Sequence, residues 1–136
     1  MERNSKLLAI TILLTAVIAQ AKDNSGRIKD ALPPGINLND AKLVEIRDDS
    51  GNVVLTGTFS NFKADLTSIV AATKAKGLAE IEIERDGAAT KQEIEVEVAN
   101  LPAQATFKLI VDSKEVAAFT TSKSGKRALK YTRKDR

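Results

Sequence analysis

Residues 78–85, LAEIEIER, and residues 91–98, KQEIEVEV, decide the fold. In the first, Ala79, Ile81 and Ile83 fall on one face and Glu80, Glu82 and Glu84 on the other. In the second, Ile94, Val96 and Val98 alternate with Glu93, Glu95 and Glu97. Successive side chains of a strand point to opposite faces, so this alternation predicts two strands, each with one buried and one wet face. Asp86 and Gly87 open a turn between them. A register that sets Ile83 opposite Ile94 would align Glu84 with Glu93, Glu82 with Glu95 and Glu80 with Glu97. Like charges directly opposite are destabilising, so cations from a neighbouring strand, Lys108 or Lys130, are expected across them.

Working outward, residues 42–47 (KLVEIR) and 52–59 (NVVLTGTF) read as a hairpin around the turn Asp48-Asp49-Ser50-Gly51. Downstream, residues 106–111 (TFKLIV), 116–121 (VAAFTT) and 127–133 (RALKYTR) read as a three-stranded meander. Residues 60–76 are ambiguous. Phe62, Leu66, Ile69 and Val70 make a helical stripe that Gly77 could cap, yet Thr67, Ile69 and Val70 are β-branched. The choice is even between one short helix near 61–76 and a strand followed by a loop. Short strands with turns every 8 to 12 residues predict a mainly β domain over 41–133, a single small antiparallel β-sandwich, immunoglobulin-like or similar. Phe107, Leu109, Val111, Phe119, Leu129 and Tyr131 are expected to share its core with Ile81, Ile83, Ile94, Val96 and Val98.

The stretch NLPAQATFKLIVDSKEVAAFTTSKSGKRALKY, residues 100–131, resembles a pattern found in exported bacterial β-sandwich proteins. There a leucine-proline turn precedes an aromatic-led strand, a VDG-type turn and a TT..SG.A.L hairpin. The resemblance implies a sandwich and export, and no particular activity. Ser113 stands where the pattern favours glycine, which implies a change of turn type.

The N-terminus has the layout of a secretory signal. Arg3 and Lys6 precede an uncharged apolar run of twelve, residues 7–18, and Ala19-Gln20-Ala21 fits the small-x-small rule for cleavage before Lys22. The apolar run is short of the roughly 20 residues that span a bilayer, so residues 1–21 are expected to be a cleaved signal peptide and not a permanent anchor. Residues 22–40, with Pro33, Pro34 and Gly35, read as an extended linker. Losing Glu2, Arg3 and Lys6 lowers the net charge from +3 to +2, too small to imply a polyanion partner.

Composition excludes much chemistry. The chain has no cysteine and no histidine. Disulfides, thiolate nucleophiles and the usual general base are therefore absent. Asp48, Ser50 and Asn52 have calcium-loop spacing, but Val53 and Phe59 occupy the positions where such a loop wants glycine and glutamate, so a plain turn is expected. The glutamate stripes offer paired carboxylates of the kind glycosidases use, but on a flat face with no aromatic platform. Lys123, Lys126, Arg127, Lys130, Arg133, Lys134 and Arg136 could meet an anionic polymer, but the one interleaved aromatic, Tyr131, alternates inward, which disfavours nucleic acid. No nucleophile motif or phosphate-binding loop occurs. The expectation is an exported, non-catalytic binding or structural module, periplasmic or extracellular, without catalytic, metal or cofactor-binding residues. Its partner would be another envelope protein or polymer. The alternatives are an envelope protein binding polyanions or divalent cations through a charged strand face, and a hydrolase working without histidine or cysteine.

Overall fold

The computed structural model describes residues 21–22, 27–70 and 73–135. The expected signal peptide lies outside the described residues as far as residue 20. Ala21 and Lys22, on either side of the expected cleavage point, form the two-residue strand β1. Nine further strands follow. They are β2 (Ile28–Ala31), β3 (Leu43–Asp48), β4 (Val53–Thr58), β5 (Lys63–Ser68), β6 (Lys76–Asp86), β7 (Ala89–Ala99), β8 (Thr106–Val111), β9 (Lys114–Thr120) and β10 (Arg127–Asp135). Among the described residues there is no helix. Residues 60–76 resolve as strand β5 followed by a loop, so the helical stripe was coincidental: Ala64 and Leu66 are buried at strand spacing, while Phe62, Ile69 and Val70 are exposed.

All ten strands join one sheet in the order β9-β8-β3-β4-β5-β6-β7-β10-β2-β1. Every pairing is antiparallel except that of β10 with β2. Mainly β structure was expected from the alternation; the separation into two sheets was not found, because the ladder runs unbroken from one edge to the other. One sheet has one apolar face, which it can bury only by curling over it. Val44 and Ile46 of β3, Ile94 and Val96 of β7, and Phe107 and Leu109 of β8 accordingly share a single buried cluster. Fully burying an aliphatic side chain of this size contributes about 1.5–3 kcal/mol. Every expected core residue is buried except Ile83, which packs against the cluster while partly exposed.

Leu66 sits between two glycines. Its cross-strand partner on β6 is Gly77. On the other side, the β4–β5 register brings Gly57 beside it. A Cβ on Gly57 would overlap the Asp65 carbonyl oxygen, and one on Gly77 would sit 2.7 Å from the Glu97 carbonyl oxygen and 2.9 Å from a Leu66 methyl. Two missing side chains let three strands fold tightly around one leucine, as glycine kinks do in curved sheets.

Of the expected linker 22–40, residues 23–26 lie outside the described residues, and residues 27–40 are not a free connection. Ile28–Ala31 pairs parallel with β10, and Leu32, Ile36 and Leu38 are buried. The prolines shape a turn closed by Ile36 N–H donating to the Pro33 carbonyl (3.3 Å), and buried Gln92 accepts from Leu38 N–H (2.7 Å). The segment closes one end of the curled sheet, which its proline content disguised. The expected C-terminal meander is also broken. β8 and β9 form a hairpin at the sheet edge, whereas β10 crosses to lie between β7 and β2. Its cations there face the glutamates of β7, which a place beside β9 would not give.

Ser113 keeps the turn that glycine would make. Asp112 and Ser113 both have positive φ (48° and 69°), as a two-residue mirror-image hairpin turn requires. The Asp112 carboxylate accepts from the backbone N–H groups of Lys42 (3.0 Å) and Leu43 (2.9 Å), stitching this turn to the start of β3. Left-handed backbone costs a non-glycine residue about 1–2 kcal/mol, so Ser113→Gly should raise unfolding stability by about 1 kcal/mol in urea titrations. Gly57→Ala should lower it by about 1–3 kcal/mol, the usual effect of overpacking. A neutral Gly57→Ala would mean that the bend does not depend on the missing side chain.

Candidate functional site

The β6–β7 hairpin closes on a two-residue turn, 87–88, that pairs Asp86 with Ala89. This fixes Ile81 opposite Ile94, two residues away from the expected register. Glu80 then faces Glu95, Glu82 faces Glu93, Leu78 faces Glu97, and Glu84 faces Lys91. The like-charge conflict is therefore real at two positions. β10 relieves it from the far side of β7, setting Lys130 opposite Glu95 and Thr132 opposite Glu93. Lys130 Nζ lies 3.7 Å from Glu93 and 3.6 Å from Glu95. Arg27 reaches Glu95 at 3.3 Å and Glu97 at 3.7 Å, Lys91 reaches Glu93 at 3.7 Å, and Lys63 reaches Glu80 at 3.6 Å. Lys108 plays no part here; it sits 3.9 Å from Glu115. Glu93 is the surprise: its side chain is only 6% exposed although it lies on the outer face. The long stems of Lys91 and Lys130 cover it while their ammonium groups meet its carboxylate.

The other sequence candidates are absorbed by the fold. Asp48 is spent on its own turn, its carboxylate accepting from the N–H groups of Ser50 and Asn52, each at 2.9 Å. Those hydrogen bonds, Asn52's foremost, hold its carboxyl below the ordinary value. Among the described residues, no group of three or more carboxylates is arranged to hold a metal ion. The C-terminal basic run disperses. Lys130 serves the glutamates and Arg133 binds Asp135 (2.9 Å) and the Pro33 carbonyl (2.6 Å), whereas Lys123 and Lys126 stay exposed on the 121–126 loop, Lys134 is exposed on β10, and Arg136 lies outside the described residues.

What the sequence did not reveal is a groove of about 670 Å³ on the outer face, at the end where β6 and β10 begin and β7 ends. That volume is within the range of small-molecule sites. Leu78, Ala99 and Ala128 contribute its apolar floor, Lys76, Lys126 and Arg127 its cations, and Glu97, paired with Arg27 at 3.7 Å, one carboxylate. Arg127 Nε donates to the Thr120 carbonyl (2.8 Å), which fixes the guanidinium at the rim. Leu78 is 38% exposed. It is the one residue of LAEIEIER that breaks the acidic outer face, and that break was the available signal. Compared with protein-family models, curated proteins and solved structures, the chain matches none of them.

The ion-pair arrangement predicts an asymmetry between two substitutions. Glu82→Gln removes an exposed charge facing Glu93, so it should be neutral or stabilising by up to about 0.5 kcal/mol. Lys130→Met leaves nearly buried Glu93 with one of its two cations and should cost about 1–3 kcal/mol in chemical denaturation. Millimolar calcium should leave the melting temperature of both variants and the parent unchanged. A calcium-dependent rise lost in Glu82→Gln would make the stripe a cation site instead.

Proposed function

We propose that the chain is an exported, non-catalytic binding module of the cell envelope or exterior, and that the groove takes an anionic amphiphile. The observation that carries this reading is the pairing of an apolar floor at Leu78, Ala99 and Ala128 with three cations, Lys76, Lys126 and Arg127, against a single carboxylate, Glu97, that Arg27 already neutralises. A ligand with a hydrocarbon body and one negative group satisfies both at once: the body dehydrates the floor, and the charge meets the cations. The layout of residues 1–21 supports export. In this reading the single curled sheet serves in place of the expected sandwich, its strands sharing one buried cluster.

Octyl phosphate titrated into the labelled protein should move the amide signals of Leu78, Ala99 and Ala128 saturably. The uncharged analogue octyl glucoside should bind about tenfold more weakly, the loss of one charge-assisted contact. Lys76→Gln with Lys126→Gln should remove that difference. Absence of saturable shifts at the groove, or equal binding of the two amphiphiles by the unaltered protein, would sink the reading.

A further inference from the structure

The end of the sheet that carries the groove also carries an apolar tip. Ile69 and Val70 are 57% and 53% exposed, more than any other large apolar side chain among the described residues. They have not simply failed to pack. The Ser68 hydroxyl donates to the Val70 carbonyl (2.9 Å) and accepts from Val70 N–H (3.1 Å), and Thr73 N–H donates to the same carbonyl (3.1 Å). This hydrogen-bonded turn holds both aliphatic side chains outward.

Around them is a collar of lysines. Asn100 Nδ2 donates to the Lys74 carbonyl (3.1 Å), tying this loop to the one after β7. Leu101 N–H donates to the Gly125 carbonyl (3.1 Å), tying that loop in turn to residues 121–126. Lys74, Lys76, Lys123 and Lys126 are thereby gathered at one end, and all four are exposed. Among the described residues, the ion pairs gather further along the strands, at Glu80, Glu93 and Glu95, and none involves these four lysines. The outer face is thus polar along its strands, cationic at the tip and acidic beyond it.

We infer that this tip docks on an anionic lipid bilayer, with Ile69 and Val70 entering the headgroup boundary and the four lysines meeting lipid phosphates. Neither signal suffices alone, but a short apolar insertion combined with a polybasic collar gives stable peripheral attachment. The chemistry favours a bilayer over a protein partner. Lysine is depleted from protein interface cores, and two aliphatic side chains on a convex loop are far short of a standard interface. It also disfavours a second copy, since opposed tips would bring eight lysines together. Lys76 and Lys126 also line the groove, but Ile69, Val70, Lys74 and Lys123 do not, so substitutions at these four test the tip separately from the groove.

The test is co-sedimentation of the protein, as recovered from expressing cells, with phosphatidylcholine vesicles containing about one third phosphatidylglycerol. Parent and variants share one N-terminus, so any affinity of that segment cancels. Ile69→Ser with Val70→Ser, and separately Lys74→Gln with Lys123→Gln, should each weaken binding about tenfold or more, and added salt should weaken the parent likewise. Phosphatidylcholine alone should retain little protein. The substituted positions are exposed, and unchanged melting together with unchanged octyl phosphate shifts would locate any loss at the tip. Undiminished vesicle binding by the Ile69/Val70 variant, or equal binding to neutral vesicles, would overturn the inference. So would concentration-dependent dimerisation that this variant abolishes, which would assign the tip to a second copy.

Discussion

A lone sheet has nothing to pack against but itself. That constraint organises this molecule. Among the described residues, ten hydrogen-bonded strands expose one alternating apolar face, and with no second sheet or helix layer there the face is covered only if the sheet closes over it. The fold achieves this by omission as much as by contact: Gly57 and Gly77 leave the space that Leu66 fills. Leu32, Ile36 and Leu38 then close the open end from outside the regular ladder. A side chain at either glycine would collide with a backbone carbonyl oxygen, so the neighbouring strands would have to shift.

The outer face obeys a different rule. Its central strands carry carboxylates in opposed pairs, a layout that would disfavour the hairpin on its own. β10 resolves this by arriving on the open side of β7 with Lys130 and Thr132 in register. The strand that ends the sequence is therefore required by the strands in its middle, through contacts some forty residues apart in the chain. Such non-local pairing is formed late and slowly in folding, since its loop must close before the contacts reward it. Lysines used this way are unavailable to an external partner, whereas Lys74, Lys76, Lys123 and Lys126 stay exposed at the tip.

Local grammar was legible in the sequence and long-range geometry was not. The alternation at residues 78–85 and 91–98, the hairpin around Asp48–Gly51 and the inward side chains of β8 and β10 followed from period and turn residues alone. The register of β6 against β7 depended on a two-residue turn, and choosing a longer one moved every glutamate pair by two. The place of β10 depended on charge complementarity across the sheet, which a local reading cannot rank against simple adjacency. Residues 28–38 were hidden because Pro33-Pro34-Gly35 signals a connection regardless of whether the apolar residues around it are buried. For the groove and tip, Leu78 and Ile69-Val70 were visible as apolar residues out of phase. Their meaning required knowing that the loops after β5, β7 and β9 converge.

One consequence of the core is spectroscopic. Tyr131 is the single tyrosine of a chain without tryptophan, and it is 1% exposed with its hydroxyl unpartnered. Burial, and secondarily the charge of Asp30, raises its ionisation above that of an ordinary phenol. Its neutral form is the one the fold favours, so that stabilisation is complete below the pH at which a free phenol ionises and is lost as pH climbs beyond it. The near-ultraviolet absorbance of this protein is thus a built-in optical gauge. At alkaline pH between the ionisation of a free phenol and that of the buried ring, the phenolate band would grow in as the curled sheet opens, turning one buried ring into a readout of whether the core is closed.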